Sequence, residues 1–361
     1  MSLRGPHRPG RPDPRLLTAV GLLLAGALLM IGAVDAALYK GAEPAPIATS
    51  KAGGSGGSLS RVSMAAPAEP FDHCEGCSAV QEAEVMATVT PTPEPTATPT
   101  PSPTPSPYRP SFAVPARAVA ILEAPCGALV FGKSEHASLP PASLTKIVTA
   151  LAAIDRIELD HSVEVQISAK ELKRRTRSSV MGLEPGMTVS VEDLLYGLFL
   201  LSGNDAAIVL AEHVSGNVSA FVELMNQEAA RLGLNDSRFS NPHGLDSPAQ
   251  RSSAYDMALA GMEMMKNPTL AAISSAPSYA LEGGLSMTNS NQLLASYPGA
   301  SGVKIGYTRA ARYTIVAAAS REGRDLYAAV LGSNDLYAET AQLLDWAFEE
   351  TPATCSNQGG R

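Results

Sequence analysis

Ser143 and Lys146 stand three residues apart in Pro141-Ala142-Ser143-Leu144-Thr145-Lys146. On a helix that spacing puts a hydroxyl and an amine on one face, one turn apart. A serine is a poor nucleophile until a base takes its proton. A lysine can be that base when burial or a second cation lowers its pKa enough to leave it neutral. Two further short stretches hold the same kinds of group: Ser202-Gly203-Asn204 pairs a hydroxyl with a side-chain amide, and Lys304-Ile305-Gly306 brings a second lysine. Each stretch alone has a plainer reading, as a capped helix with a surface lysine, a helix break, and a strand end.

These groups act together only if the fold brings them together, so the elements around them matter. Pro141 at a first turn and the unbroken apolar run after it predict a helix carrying Ser143 and ending near Arg156. Residues 117–123 and 128–131 are apolar and β-leaning around a Pro125-Cys126-Gly127 turn, and residues 163–167 alternate like a strand. Helices are expected over residues 191–201, 205–214, 218–232 and 253–266, the first two separated by Ser202-Gly203-Asn204. Late strands are expected at 301–307, 313–319 and 326–331, the last two joined by an Arg321-Glu322-Gly323-Arg324 hairpin. A helix over 335–348 ends the folded part. Strands at both ends with helices between predict an α+β arrangement, broadly α/β: one antiparallel sheet flanked by helices, with a helical block inserted in sequence.

The first third of the chain is different. Arg4, Arg8, Arg11 and Arg15 precede residues 16–34, a run without a charge. Nineteen helical residues span roughly 28 Å, close to the hydrocarbon thickness of a bilayer. The basic flank favours the cytoplasmic side, so the chain beyond the run lies outside. Residues 1–38 are therefore expected to be an N-terminal signal anchor, with cleavage near Ala36 as the competing reading. Residues 39–111 lack periodicity, and 91–107 nearly alternate Pro with Thr or Ser, which favours an extended polyproline spacer. Cys74 and Cys77 sit in this stretch without the second ligand pair that a zinc site needs. Cys126 and Cys355 are either a second pair or unrelated. Residues 112–352 form the expected catalytic domain, and 353–361 a C-terminal tail. The net charge of −8 argues against nucleic acid as a partner. The six histidines have no metal-ligand spacing, and the serine–lysine chemistry requires no cofactor.

Ser143 to Ser202 is 59 residues and Ser202 to Lys304 is 102, with Asn241-Pro242-His243-Gly244-Leu245 between. In this order and spacing the three motifs resemble those of the serine penicillin-recognising enzymes, which include the class A β-lactamases. Within that group the chain is most similar to the D-alanyl-D-alanine carboxypeptidases of peptidase family S11. The resemblance covers residues 112–348 and implies a β-lactamase/DD-peptidase-like fold. It implies Ser143 as acylated nucleophile, Lys146 as its base, and Ser202 and Asn204 as a second wall that relays a proton and holds the substrate amide. It also implies Lys304 as the charge that receives the substrate's terminal carboxylate, and the backbone N–H groups of Ser143 and Tyr307 as an oxyanion hole. Peptidoglycan stem peptides are then the implied substrate, and β-lactams the implied inhibitors. The physics agrees: a second lysine near Lys146 depresses its pKa, as a neutral amine base requires.

Two departures stand out. The middle of the third motif is Ile305 where relatives carry a threonine or serine hydroxyl for the carboxylate. Ser290, in Thr288-Asn289-Ser290-Asn291, stands where some relatives carry an arginine. Thr308, Arg309 and Arg312 are the candidates to compensate. A β-lactamase is the enzyme alternative, against which the stretch between Glu228 and Glu263 has no glutamate for a deacylating water. A catalytically impaired penicillin or peptidoglycan binder is the other. His243, between Pro and Gly, is expected to be a turn histidine. Met262, Met264 and Met265 are expected to fill core.

Overall fold

The structure, a computed structural model, describes residues 108–281 and 284–355. The charge-free run at 16–34, the Pro-rich spacer at 91–107 and the Cys74/Cys77 pair lie outside the described residues. Among those described, no helix is long and apolar enough to cross a membrane.

In chain order the elements are β1 (Ala118–Glu123), β2 (Ala128–Lys133), α1 (Thr145–Ile154), β3 (Ser162–Glu164), α2 (Ala169–Thr176), β4 (Thr188–Ser190), α3 (Val191–Leu200), α4 (Asn204–Ser215), α5 (Val218–Arg231), α6 (Ala254–Met265), α7 (Pro268–Ser275), β5 (Ser278–Ala280), β6 (Ser286–Thr288), α8 (Leu293–Ser296), β7 (Ala300–Thr308), β8 (Arg312–Arg321), β9 (Arg324–Ser333) and α9 (Leu336–Glu350). Five strands make one antiparallel sheet in the order β2-β1-β9-β8-β7. β7 is thus an edge. The β8–β9 hairpin turns through Glu322 and Gly323, both at positive φ, which suits the right-handed twist of its strands.

Successive side chains of a strand point to opposite faces, and here both faces are buried. Ala118, Ala120 and Leu122 of β1 join Val316, Ala318, Ala329 and Leu331 in the larger core, which they share with α1, α4 and α6. Val119 and Ile121 join Ile315, Ala317, Ala328 and Val330 in a smaller core against Leu343, Leu344 and Trp346 of α9. The expected helical block, α1 to α7, sits on the first face. Its helices start where side chains can satisfy their free N–H groups. Ser190 and Asp193 form a reciprocal capping box on α3. Asn267 caps α7, and Pro268 occupies its first turn. Met262 and Met264 are buried and Met265 packs beside them, as expected of core filling.

Some boundaries differ from the sequence-based expectation. The helix expected from Pro141 to Arg156 is a short 3₁₀ turn, Ala142–Leu144, followed by α1, which ends at Ile154. Ala142 has φ of 51°, left-handed and costly for a residue with a Cβ, so the chain kinks at the serine before winding into α1. The strand expected over 163–167 is the three-residue β3, and Val165 bonds Met187 in a loop beyond it.

The far end of the domain is tied down. Cys126, in the β1–β2 turn, and Cys355 form a disulfide with a Cα–Cα distance of 5.6 Å. Beside it Arg324 pairs with the buried Glu123 at 2.8 Å and donates to the carbonyls of Ala347, Phe348 and Thr351, satisfying the open end of α9. Glu123 also accepts from the Thr354 backbone and hydroxyl. Burial is the largest single influence and pushes the carboxyl up, but the hydrogen bonds from Arg324 and Thr354 and the Arg324 charge together hold it below its usual range.

Candidate active site

The 3₁₀ turn, the α3–α4 junction, the loop 241–246 and the edge strand β7 converge on one cleft of about 930 Å³. Ser143, Ser202, Asn204, His243, Ile305 and Tyr307 all line it. Lys146 and Lys304 lie beneath, fully buried at 0% and 1% exposure.

Lys146 has three neighbours. Its Nζ donates to Asn204 Oδ1 at 2.7 Å and to the His243 carbonyl at 2.7 Å, and stands 3.3 Å from Ser143 Oγ. A neutral amine has two N–H bonds and one lone pair. Two carbonyl oxygens at short distance take the two N–H bonds, leaving the lone pair for the serine hydroxyl. Burial, and then the charge of Lys304, hold Lys146 well below an ordinary lysine, opposed by the carboxylate of Asp205. Burial also brings Lys304 down to about 7. Its Nζ donates to the Ile305 carbonyl at 3.0 Å.

Ser202 has φ of 57°, and its buried hydroxyl has no hydrogen-bond partner among the described residues. Asn204 begins α4 and is 3% exposed, with its Oδ1 engaged by Lys146. Asp205 behind it accepts from the backbone N–H groups of Met181, Gly182, Leu183 and Ala206, and the Asn204 N–H donates to the Ser179 carbonyl. That pins the 178–183 wall to the start of α4. Tyr307 is 59% exposed, and its ring lies 4.8 Å from that of Tyr313 across the β7–β8 ladder.

Two glycines let the backbone close around the serine. A Cβ on Gly306 would lie 2.8 Å from the Ser143 nitrogen, so β7 passes directly against the nucleophile turn. A Cβ on Gly244 would lie 1.9 Å from the Ala142 carbonyl oxygen, and Gly244 has φ of 89°. The loop that holds Gly244 is itself anchored to α1. Thr149 donates to the Pro242 carbonyl at 2.7 Å, and Gln250 bridges Thr145 Oγ1 and the Ser240 N–H.

The five residues singled out by type and spacing, and Tyr307, which the resemblance adds, therefore meet in or beside this cleft. Three contributors carry no such signal: the His243 carbonyl, Asp205 and Gln250. The His243 ring behaves as a turn histidine. Burial, then the Lys146 charge, bring it down to about 3, and its Nδ1 accepts from the Leu245 N–H. Two of the groups expected to compensate for Ile305, Thr308 and Arg312, are occupied, and so is Ser290 at the second departure. Thr308 Oγ1 donates to Asp246 at 2.7 Å, Ser290 Oγ to the Leu200 carbonyl at 2.8 Å, and Arg312 to Asn334 at 3.2 Å. Ile305 itself packs against the smaller core.

The sheet and its inserted helices have the fold of the serine DD-peptidases. The crystal structure of a D-alanyl-D-alanine carboxypeptidase from Mycobacterium tuberculosis H37Rv superposes with a TM-score of 0.64 at 34% identity, covering 69% of this chain and 96% of that one. The Streptomyces K15 DD-transpeptidase gives 0.62 at 28% identity, covering 66% and 98%. The chain belongs to the D-alanyl-D-alanine carboxypeptidase family, Peptidase_S11, whose model matches residues 104–335. Among curated relatives, D-alanyl-D-alanine carboxypeptidase DacB2 of M. tuberculosis is 35% identical over 249 residues, 66% of this chain and 84% of that protein. DacF of Bacillus subtilis is 34% identical over 245 residues, and the chain spans only 62% of its length.

Proposed function

We propose that this chain is a serine-type D-Ala-D-Ala carboxypeptidase that removes the terminal D-Ala from peptidoglycan stem peptides. The hydrogen bonding of Lys146 carries the reading, because it leaves a buried amine with one free lone pair, and that faces Ser143. In the first step Ser143 Oγ attacks the penultimate D-Ala carbonyl while Lys146 takes the hydroxyl proton. The backbone N–H groups of Ser143 and Tyr307, brought together by Gly306, stabilise the oxyanion. Ser202 passes the proton to the leaving amine. D-Ala departs, and water then releases the shortened peptide from the ester. Asn204 holds the substrate amide, Lys304 receives the terminal carboxylate, and a β-lactam acylates the same serine.

The direct test is release of D-Ala from a peptide ending in D-Ala-D-Ala, which must occur with the wild-type chain. Ile305→Thr sharpens it. A hydrogen bond to a charged group is worth roughly 1.5–3 kcal/mol, and neither Thr308 nor Ser290 has a free hydroxyl to supply one. The threonine variant is expected to raise kcat/KM about tenfold, or roughly 1.4 kcal/mol. A large fall would mean that the pocket is built around the bulk of isoleucine.

The pH dependence rests on Lys304. Its pKa is lowered, so in the free protein the cation exists below about pH 7 and is lost above it. The substrate carboxylate is ionised throughout. kcat/KM is therefore expected to fall above about pH 7 as the receiving cation disappears, by up to tenfold per unit. A profile flat to pH 9 would remove Lys304 from carboxylate binding.

Residues 16–34 are proposed as a membrane anchor that places the domain outside the cytoplasm, on a Pro-rich stalk. The Cys126–Cys355 disulfide fits an oxidising compartment. N-terminal sequencing of the membrane-bound protein is expected to recover residues before Ala36, and a mature start at Ala36 or Ala37 would reject the anchor.

A further inference from the structure

The chain carries a net charge of −8, yet one lip of the cleft is strongly basic. α2 and the residue after it hold Lys170, Lys173, Arg174, Arg175 and Arg177, all exposed. Glu171 takes Arg174 in a bidentate pair. Glu184, the other carboxylate at α2, is occupied by the Ser168 hydroxyl and the Lys170 N–H. Lys170, Lys173, Arg175 and Arg177 have no ion-pair partner among the described residues. Arg177 lines the cleft itself.

Arg177 also occupies an unusual conformation. It caps α2 with φ of 53°, the left-handed region, where glycine is the residue without a steric cost. Arginine therefore stands, at some strain, where the end of α2 borders the cleft. Strain of this kind is a pointer to function.

The strand on the opposite wall gives a ruler. β7 advances about 3.3 Å per residue, so its last residue, Thr308, lies roughly 13 Å beyond Lys304, and Arg309 follows at the start of the turn to β8. Arg309 lines the cleft, is exposed, and lacks an ion-pair partner among the described residues. An extended peptide with its terminal carboxylate at Lys304 reaches this end with its third to fifth residues from the C-terminus. The cleft also holds two carboxylates, Asp246, which accepts from Thr308, and Asp335, just before α9.

Resting on the reaction proposed above, we infer that Arg177, supported by Lys173 and Arg175 and faced by Arg309, selects acidic peptides. The preferred substrate bears a free carboxylate on the arm N-terminal to D-Ala-D-Ala, and the corresponding carboxamide is disfavoured.

The test uses the full-length chain and two peptides differing only in carboxylate against carboxamide, at the third or fourth residue from the C-terminus. The wild type is expected to favour the carboxylate about tenfold in kcat/KM at low salt, with the preference shrinking as salt is raised. Arg177→Gly is expected to bring the ratio close to one while raising Tm by about 2–4 °C, because glycine relieves the left-handed strain. A purely structural arginine would move the stability and leave the ratio alone. A wild-type ratio near one, or a ratio that survives Arg177→Gly, overturns the inference. Affinities of the Ser143→Ala protein for the uncleaved peptides give the same ratio without turnover. A carboxylate preference in binding with no D-Ala release by the wild type would keep Arg177 assigned and overturn the hydrolase reading instead.

Discussion

Ser143→Ala is expected to abolish acylation by a fluorescent penicillin and D-Ala release together, while the protein stays folded. Among the described residues no other hydroxyl is bonded to Lys146. Among the described residues the only side chain bonded to Ser143 Oγ is Lys146, which keeps its two carbonyl partners when the hydroxyl is gone. Alanine also suits the 3₁₀ turn. The stability change should therefore stay within about 1 kcal/mol, the net worth of one ordinary hydrogen bond. Mass spectrometry of the acylated wild type should find the adduct on the peptide containing Ser143. An adduct on Ser202 would sink the assignment, since that hydroxyl lines the same cleft.

Lys146→Met is expected to slow acylation by about 10³-fold, within the 10²–10⁴ range that a positioned base contributes. Methionine fills nearly the same volume and cannot take a proton. Two effects on stability oppose each other. The buried amine no longer has to be desolvated, but Asn204 Oδ1 and the His243 carbonyl lose their donor, at about 1–3 kcal/mol each if nothing replaces it. The rate loss should therefore far exceed any change in Tm. A variant that still acylates within tenfold of wild type would assign the base elsewhere. Ser202 would then be the next group to test, because its hydroxyl has no partner among the described residues.

Much of this site was legible because its chemistry is written in side chains. Ser143, Lys146, Ser202, Asn204 and Lys304 could be named from type and spacing, and Tyr307 from the family resemblance those motifs carry; the cleft brings them together or sets them just beneath its floor. The sheet was legible for a different reason: both of its faces are buried, so β1, β8 and β9 read as continuous apolar runs. What stayed hidden works through backbone. The His243 carbonyl holds Lys146, and any residue in that position has a carbonyl. Gly244 and Gly306 matter for a missing Cβ, which shows only once Ala142 and Ser143 are seen against them. Ala142 reads as a good helix former, and its left-handed kink comes from the contacts around it rather than from its own preference. α2 was missed because its sequence, AKELKRRT, has no apolar stripe to announce a helix. That same absence of apolar residues makes it a charged lip.

The bond between Cys126 and Cys355 changes what kind of object the unfolded chain is. The two residues are 229 positions apart, so once the bond has formed the domain never becomes a free string. It is a closed ring, with a long segment before Cys126 and a short one after Cys355. Closing a ring of that size removes about 5 kcal/mol of disorder from the denatured ensemble, comparable with the whole net stability of a typical domain. The margin is acquired only after folding has brought the two ends of the domain together, and only where thiols can be oxidised. Maturation of this protein is then a sequence of two events, folding and cyclisation. The second makes the first hard to undo.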